Sequence, residues 1–408
     1  MSRRTERHPA RIVHLGLGAF HRAHQAWYTQ LANDRGDDWG IAAFTGRTPD
    51  AAVALSAQDG VYTLVERAAS GDRAQTIESI VSATDGSDRE AWRSAFADPA
   101  VGVVTLTVTE AGYAAGSSVA GRLLDGVRAR ADAGAGPVAI VSCDNLPANG
   151  AITRRLLVGD DRAGELVGWI DDNVAFVSTM VDRITPATTD EDRITASELI
   201  GWPDAVPVVT EPFSEWVLSG AFPAGRPTWE AGGARFVDDV EPYEQRKLWL
   251  LNAGHSLLAY HGLRHGLETV ADAVADPFCA GELERLWSEA RVVVPLPAIE
   301  IDEALAALRV RFANPRIRHR LAQIAIDGAH KLPVRVLEVV RRRRAAGLEP
   351  GEALAGVVAA WAPYAGAAGA DARSLMAALA PDLADDRELT TLVAERMIEF
   401  RHDPQGAR

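Results

Sequence analysis

Cysteine is scarce: Cys143 and Cys279 are the only two in 408 residues. They stand far apart, with no further Cys or His at metal-ligand spacing beside them. That excludes a disulfide scaffold and a structural zinc site of the usual kind, and it agrees with a reducing cytoplasm. No window approaches ~18 uninterrupted apolar residues, so no membrane-spanning helix is expected. The basic opening MSRRTERHPARIVHLGLG has no apolar h-region with a small-residue cleavage site, and a cytoplasmic protein is the expectation. Positive charge is in deficit as well: Lys and Arg number 42 against 56 Asp and Glu, a formal net charge of −14. Such a balance lacks the footprint of a general nucleic-acid or anionic-membrane binder, so neither partner is expected. A local basic pocket for a small anion remains open. What is present, 47% hydrophobic and 24% charged residues, is ordinary for a globular protein. A length of 408 residues makes two domains the default, at ~100–200 residues each.

The N-terminal half alternates short β-branched runs with helical stretches, the pattern of an α/β domain with a parallel sheet covered by helices. Candidate strands are Arg11–Leu15, Gly40–Phe44, Val101–Val108 and Pro137–Ser142, with helical segments at Ala23–Asn33 and Asp88–Phe96. From Val206 the style changes. Val206–Thr210, Glu215–Leu218 and Ala234–Val237 read as short strands added to the sheet. After Tyr243 the chain reads as helical to its end: Tyr243–Tyr260, Pro277–Ala290, Ile299–Arg311, Arg316–Ala329, Val334–Ala346 and Leu375–Ala380. The Ala-rich stretch Gly351–Ala380 is expected to be surface helix. Domains of 1–240 and 241–408 follow.

Directly after the first strand comes Gly16-Leu17-Gly18-Ala19-Phe20-His21-Arg22-Ala23-His24. A glycine pair at i and i+2 between a buried strand and a helix suits a pyrophosphate. The first glycine permits the tight turn and the second lets the backbone approach the phosphates. The third glycine of the usual fingerprint is replaced by His21, and a glycine turn made for packing alone is the alternative. The end of the second strand, Phe44-Thr45-Gly46-Arg47, carries no acid for a ribose 2′-hydroxyl. Arg47 could meet a 2′-phosphate, so NAD is the expected cofactor with NADP left open.

The segment Glu244-Gln245-Arg246-Lys247-Leu248-Trp249-Leu250-Leu251-Asn252-Ala253-Gly254-His255-Ser256 carries the reacting candidates. At ~100° per residue with Lys247 at zero, Glu244 lies at roughly 60°, His255 at roughly 80° and Asn252 at roughly 140°. These polar groups share one arc of a helix whose other face is apolar. Burial lowers a Lys pKa toward neutrality, which suits a general acid–base group. Asn252 could donate to a developing oxyanion and His255 could hold a substrate hydroxyl. The alternative is a solvated face with His255 a satisfied core residue. Two further polar clusters are Ser142–Gly150, after the fourth strand, and Met180–Pro186.

The segments GLGAFHRAH, TLTVTEAGY (Thr105–Tyr113), SCDNLPANG, MVDRITP, EPYEQRKLWLLNAGHS and NPRIRHRLAQIAIDGAHKLP occur in the order and spacing of one family. From Ile12 to Pro333 the chain resembles the polyol-specific long-chain dehydrogenases/reductases, the mannitol dehydrogenase family. The resemblance implies a metal-independent, nicotinamide-dependent secondary alcohol/ketone oxidoreductase, and an extended Rossmann-type domain followed by a mostly α-helical C-terminal domain. It implies Lys247 as the acid–base residue, and Asn252 with an Asn of the Asn145–Asn149 loop, Asn145 by preference, as the oxyanion hole. His255 would orient substrate, Glu244 serve the proton path and Asp182 line the site. Gly16, Leu17, Gly18, Ala19, Phe20, Arg47, Thr109, Glu110 and Asn145 would meet the cofactor, and a monomer is implied.

Within the family, mannitol 2-dehydrogenases are expected to carry an Arg four residues before the Asp-Gly pair. Here that residue is Gln323, before Asp327-Gly328. The form NPxIxHRxxQIAxDGxxKLPxR is more similar to fructuronate reductases, which interconvert D-fructuronate and D-mannonate. A carboxylate substrate wants a cation, and Arg318, His319, Arg320, Lys331 and Arg335 are near. Asn149, Gln323, Arg320 and Lys331 are the expected substrate-binding residues. A mannitol or arabinitol dehydrogenase is the second reading. A non-catalytic nicotinamide sensor is the third, against which the joint presence of Lys247, Asn252 and His255 argues.

Overall fold

The apolar runs of the first half become strands because parallel strands covered by helices must be apolar on both faces. The computed structural model describes residues 3–46, 48–114, 116–160, 162–367 and 369–402, arranged as two units, Met1–Glu241 and Pro242–Arg408. The strands of the first unit are β1 (Ala10–Leu15), β2 (Gly40–Phe44), β3 (Tyr62–Ala68), β4 (Gly71–Ile77), β5 (Ile80–Thr84), β6 (Val103–Leu106), β7 (Val138–Ser142), β8 (Val174–Asp182), β9 (Val208–Thr210), β10 (Glu215–Ser219) and β11 (Arg235–Phe236). They form an eight-stranded sheet ordered β11-β10-β8-β7-β6-β1-β2-β5 and a separate three-stranded sheet β4-β3-β9.

Strands β5 to β8 of the large sheet run parallel through β2, β1, β6 and β7. β10 joins antiparallel to β8, with Asp182 opposite Glu215, and β11 closes that edge parallel to β10. Side chains alternate between two cores. Ile12, Ile41, Val103 and Val141 pack on one face with Tyr28 and Trp216. Val13, Leu15, Phe44, Val104 and Ile140 pack on the other with Trp92 and Phe96. The Glu215 and Arg235 strands therefore extend the large sheet, as expected. The Val206–Thr210 run does not: β9 pairs with β3, Leu64 opposite Val208, in the small sheet.

In the second unit the chain runs from helix Glu241–Arg246 through a π-helical turn, Lys247–Asn252, into helix Ala253–Arg264. Helices Pro277–Arg291, Ala298–Phe312, Glu352–Trp361 and Arg387–His402 surround it. Asp276 caps the first of these, its carboxylate accepting from Cys279 N at 2.9 Å, with Pro277 at the first helical position, where a missing N–H costs nothing. Two expectations are corrected. The helix expected over Arg316–Ala329 is a loop with short helices Leu321–Ile324 and Gly328–Leu332, broken where Asp327 takes φ +59°. The Ala-rich helix is not surface: every residue from Ala353 to Trp361 is buried, because a helix apolar on all sides needs cover on all sides. Among the described residues no helix is long and apolar enough to cross a membrane.

Candidate active site

The glycine turn fits a dinucleotide for reasons visible atom by atom. Gly16 takes φ +109°, and a Cβ there would stand 2.0 Å from the Thr107 carbonyl oxygen at the end of β6, so no other residue fits. Gly16 N and Leu17 N both donate to Phe44 O at 3.0 Å, tying the turn to the end of β2. Gly18 is different: a Cβ there would meet only Gly16 O, at 3.6 Å. Its glycine leaves room over the first turn of helix Ala19–Ala23, whose leading N–H groups lack helical partners. Ala19 and Phe20 begin that helix. A cavity of about 440 Å³ opens here, lined by Leu15 to Leu17, Gly46, Thr107 to Thr109 and Gly112. Arg47 lies outside the described residues.

His21, at the third glycine position, lies flat on His14 of β1, ring centroids 3.3 Å apart and 9° from parallel. Stacking supplies the close helix–strand contact that glycine supplies elsewhere. Thr105 Oγ1 at 2.8 Å and Thr107 Oγ1 at 3.2 Å bracket the His14 ring. Burial pushes His14 down to about 3 and His21 well below its ordinary value, so both rings stay neutral.

Asp144, in the loop after β7, shapes the rim of the cavity. Its buried carboxylate accepts from Val108 N at 3.0 Å, Thr109 N at 2.8 Å and Tyr113 OH at 2.6 Å. Burial raises its pKa, and those three donors oppose the shift. Tyr113 also bonds Ser142 Oγ. Thr109 is held at φ +67°, strained for a β-branched residue, and exposed Glu110 begins the short helix Glu110–Tyr113. Sequence reading missed Asp144 and Tyr113 as positioning groups, although both lie in quoted motifs.

Asn145 is exposed, but Asn149 is fully buried and saturated by main chain. Its Nδ2 donates to Asp144 O at 2.9 Å and Thr179 O at 2.7 Å, and its Oδ1 accepts from Thr179 N at 2.9 Å. Its amide thus pins the loop to β8. Asp182 is buried at the end of β8. The Met180–Pro186 cluster thus starts as the last three residues of β8 and leaves the strand after Asp182.

In the second unit the π turn alters the reacting arc. A turn closed by i→i+5 bonds holds about one residue more than an α turn, so everything after it is set back by ~100°. With Lys247 at zero, Asn252 moves from roughly 140° to roughly 40° and His255 from roughly 80° to roughly −20°, while Glu244 stays at roughly 60°. The four groups then share an arc of roughly 80°, narrower than a uniform helix allows. Lys247 and Glu244 are half-buried, and Asn252 and His255 are buried. The His255 ring packs on Phe312, centroids 4.6 Å apart, and meets the edge of His319 at 4.9 Å. Side chains bond the turn's carbonyls: Trp287 Nε1, from another helix, donates to Leu250 O at 3.0 Å, and Ser256 Oγ, one turn further along the same helix, donates to Asn252 O at 3.1 Å.

Of the expected substrate residues, Gln323 and Arg320 are exposed on and before the helix Leu321–Ile324. Lys331 reaches back to Ile326 O at 2.6 Å and Ile324 O at 3.4 Å, and Tyr260 OH donates to Ala325 O at 3.1 Å. One trio, His265, Asp276 and Cys279, has metal-type ligand atoms within 4.8 Å of one another. Asp276 is occupied as a helix cap, and burial pushes the Cys279 thiol up to about 12, away from the thiolate a metal needs.

A parallel sheet with a strand–glycine turn–helix at its nucleotide cavity, in one chain with a helix aligning Lys, Asn and His, defines a dinucleotide-dependent oxidoreductase. A mannitol dehydrogenase Rossmann domain matches residues 10–231 and a mannitol dehydrogenase C-terminal domain residues 239–398, and the chain belongs to the mannitol dehydrogenase family. It is 38% identical over 384 residues to mannitol 2-dehydrogenase of Cereibacter sphaeroides, 86% of this chain and 80% of that protein. It is 37% identical over 367 residues to D-mannonate oxidoreductase of Escherichia coli (strain K12), 81% of this chain and 75% of that protein. Among solved structures, Pseudomonas fluorescens mannitol 2-dehydrogenase in ternary complex with NAD and D-mannitol matches with TM-score 0.81 and 30% identity, covering 97% of this chain and 92% of that one. NAD is accordingly the cofactor of the Rossmann unit.

Proposed function

We propose that the chain is a reductase of acyclic sugar acids, interconverting D-fructuronate and D-mannonate. Gln323 is the observation that carries the choice of a sugar acid: an uncharged amide stands where the resemblance expects an Arg for a polyol. Bound at the glycine turn, NAD supplies or accepts the hydride. Lys247 moves the proton to or from the reacting oxygen, and Asn252 donates to that oxygen as negative charge develops. His255, held between Phe312 and His319, orients a substrate hydroxyl. Asn145 as second oxyanion donor, Glu244 on the proton path and Asp182 at the site's lining belong to the same proposal.

A polyol dehydrogenase is the second reading, favoured by the occupation of Lys331. Its ammonium sits on two backbone carbonyls, which weakens its claim on a substrate carboxylate. Absorbance of NADH with D-fructuronate, D-tagaturonate, D-fructose and D-xylulose separates the two. A kcat/KM for fructuronate far above that for fructose supports the proposal; fructose or xylulose as the best substrate sinks it.

A further inference from the structure

The π turn that narrows the reacting arc is braced by Arg335, one of the cations near Gln323 in sequence. Arg335 lies on a second π turn, Pro333–Leu337. That turn begins at a proline, which has no N–H to continue an α-helical ladder. The two π turns touch. Arg335 Nη1 donates to Asn252 O at 3.4 Å and to Ser256 Oγ at 3.3 Å, and Ser256 Oγ donates to the same Asn252 carbonyl at 3.1 Å. Guanidinium, hydroxyl and carbonyl therefore close a ring at the point where the π turn gives way to α-helix. Trp287 Nε1 holds the neighbouring carbonyl, Leu250 O, at 3.0 Å.

A π turn is rare because an α-helix of the same residues has better hydrogen-bond geometry, so its persistence calls for outside partners. Here those partners come from two other helical segments. If the turn relaxed to α-helix, Asn252 would swing by ~100° relative to Lys247. The oxyanion donor and the acid–base group would then no longer address one oxygen. We infer that Arg335 is a positioning residue: through the Asn252 carbonyl it holds the π turn, and with it the relative placement of Lys247 and Asn252. This rests on the reading of Lys247 and Asn252 as the reacting pair.

The test uses the full chain with NADH and its best carboxylate and neutral ketone substrates. In Arg335→Met, kcat is expected to fall ~10- to 100-fold, the scale of a misplacement of about 1 Å. The fall should be equal for both substrate types, with KM for NADH unchanged within about twofold. Amide exchange should accelerate over Lys247–Ser256. Arg335→Lys should rescue little, because a single ammonium lacks the planar fork. Should Arg335→Met not fold, Ser256→Ala removes the middle of the ring and should show the same kcat loss in smaller degree. Full kcat in both variants overturns the inference. So does a rise in KM confined to the carboxylate substrate, which would make Arg335 a substrate contact. Lys247→Ala separates the two readings: if it keeps turnover, the reacting pair itself is wrong, whereas a dead Lys247→Ala beside a fully active Arg335→Met removes only the role of Arg335.

Discussion

Asp144→Asn removes one carboxylate oxygen and puts an amide N–H in its place. Oδ1 of Asp144 serves Thr109 N, and Oδ2 serves Val108 N and Tyr113 OH. The better orientation for Asn keeps its oxygen toward Val108 and Tyr113 and turns its NH2 toward Thr109 N, a donor facing a donor. One hydrogen bond to a charged acceptor is lost, ~1.5–3 kcal/mol. Thr109 is then released from φ +67°, a conformation whose strain is ~1–3 kcal/mol. The two terms oppose each other, so the net loss of stability should stay below about 2 kcal/mol. Geometry should not recover in the same way. Thr107 to Thr109 and Gly112 line the nucleotide cavity, and a relaxed Thr109 changes its rim. The dissociation constant for NADH, followed by fluorescence titration, is expected to rise ~10-fold or more, about 1.4 kcal/mol of binding. Chemical denaturation of the same sample supplies the stability term. An NADH affinity unchanged within about twofold, with stability lowered by more than ~4 kcal/mol, would refute the reasoning, since Asp144 would then be a core residue with no hold on the cofactor rim.

The two asparagines of one loop should behave oppositely. Asn149→Ala strips three bonds from buried main chain and should cost about 3 kcal/mol or more of stability. Asn145→Ala should leave stability within ~0.5 kcal/mol and lower kcat ~10²-fold or more; denaturation and steady-state rates on both variants decide. His261 is fully buried between Phe278 and Phe400, its ring nitrogens have no hydrogen-bond partner among the described residues, and burial pushes it down to about 3. Unfolding frees it to titrate near its ordinary value. Its stabilising contribution is therefore complete above roughly pH 6.5 and declines as pH falls toward the folded value, by up to ~1.4 kcal/mol per unit. Thermal unfolding of His261→Leu should show a shallower acid branch than the parent, and an identical branch would contradict this.

Much of the first unit was legible because buried parallel strands have few alternatives. Val13 and Leu15 of β1, the wholly apolar β2 and a β7 that is apolar up to its last residue, Ser142, read as strands on sight, and the glycine turn follows β1 directly. β8 was harder. Its central residues Phe176, Ser178 and Thr179 mix polar and apolar character, and only the cluster Met180–Pro186 at its end drew notice. The β3–β4 hairpin was hidden by Asp72, Arg73 and Gln75 on a strand that faces outward in part. In the second unit, uniform helical periodicity grouped Lys247, Asn252 and His255 but could not reveal the π turn. That turn depends on Trp287, Ser256 and Arg335, and two of these lie far away in sequence. The broken helix near Asp327 has the same origin, because its carbonyls are taken by Tyr260 and Lys331. The burial of Ala353–Trp361 was legible in principle: nothing charged follows Glu352 in that helix.

The central claim is that Lys247 moves the proton in an NAD-dependent ketone reduction. The most direct measurement is the pH profile of kcat for Lys247→Ala beside the parent, with NADH binding determined on both. The account predicts a loss of ~10²–10⁴-fold in kcat, unchanged NADH affinity, and disappearance of the parent's acid–base limb from the residual rate. Turnover within a few-fold of the parent, with the same limb intact, would contradict it.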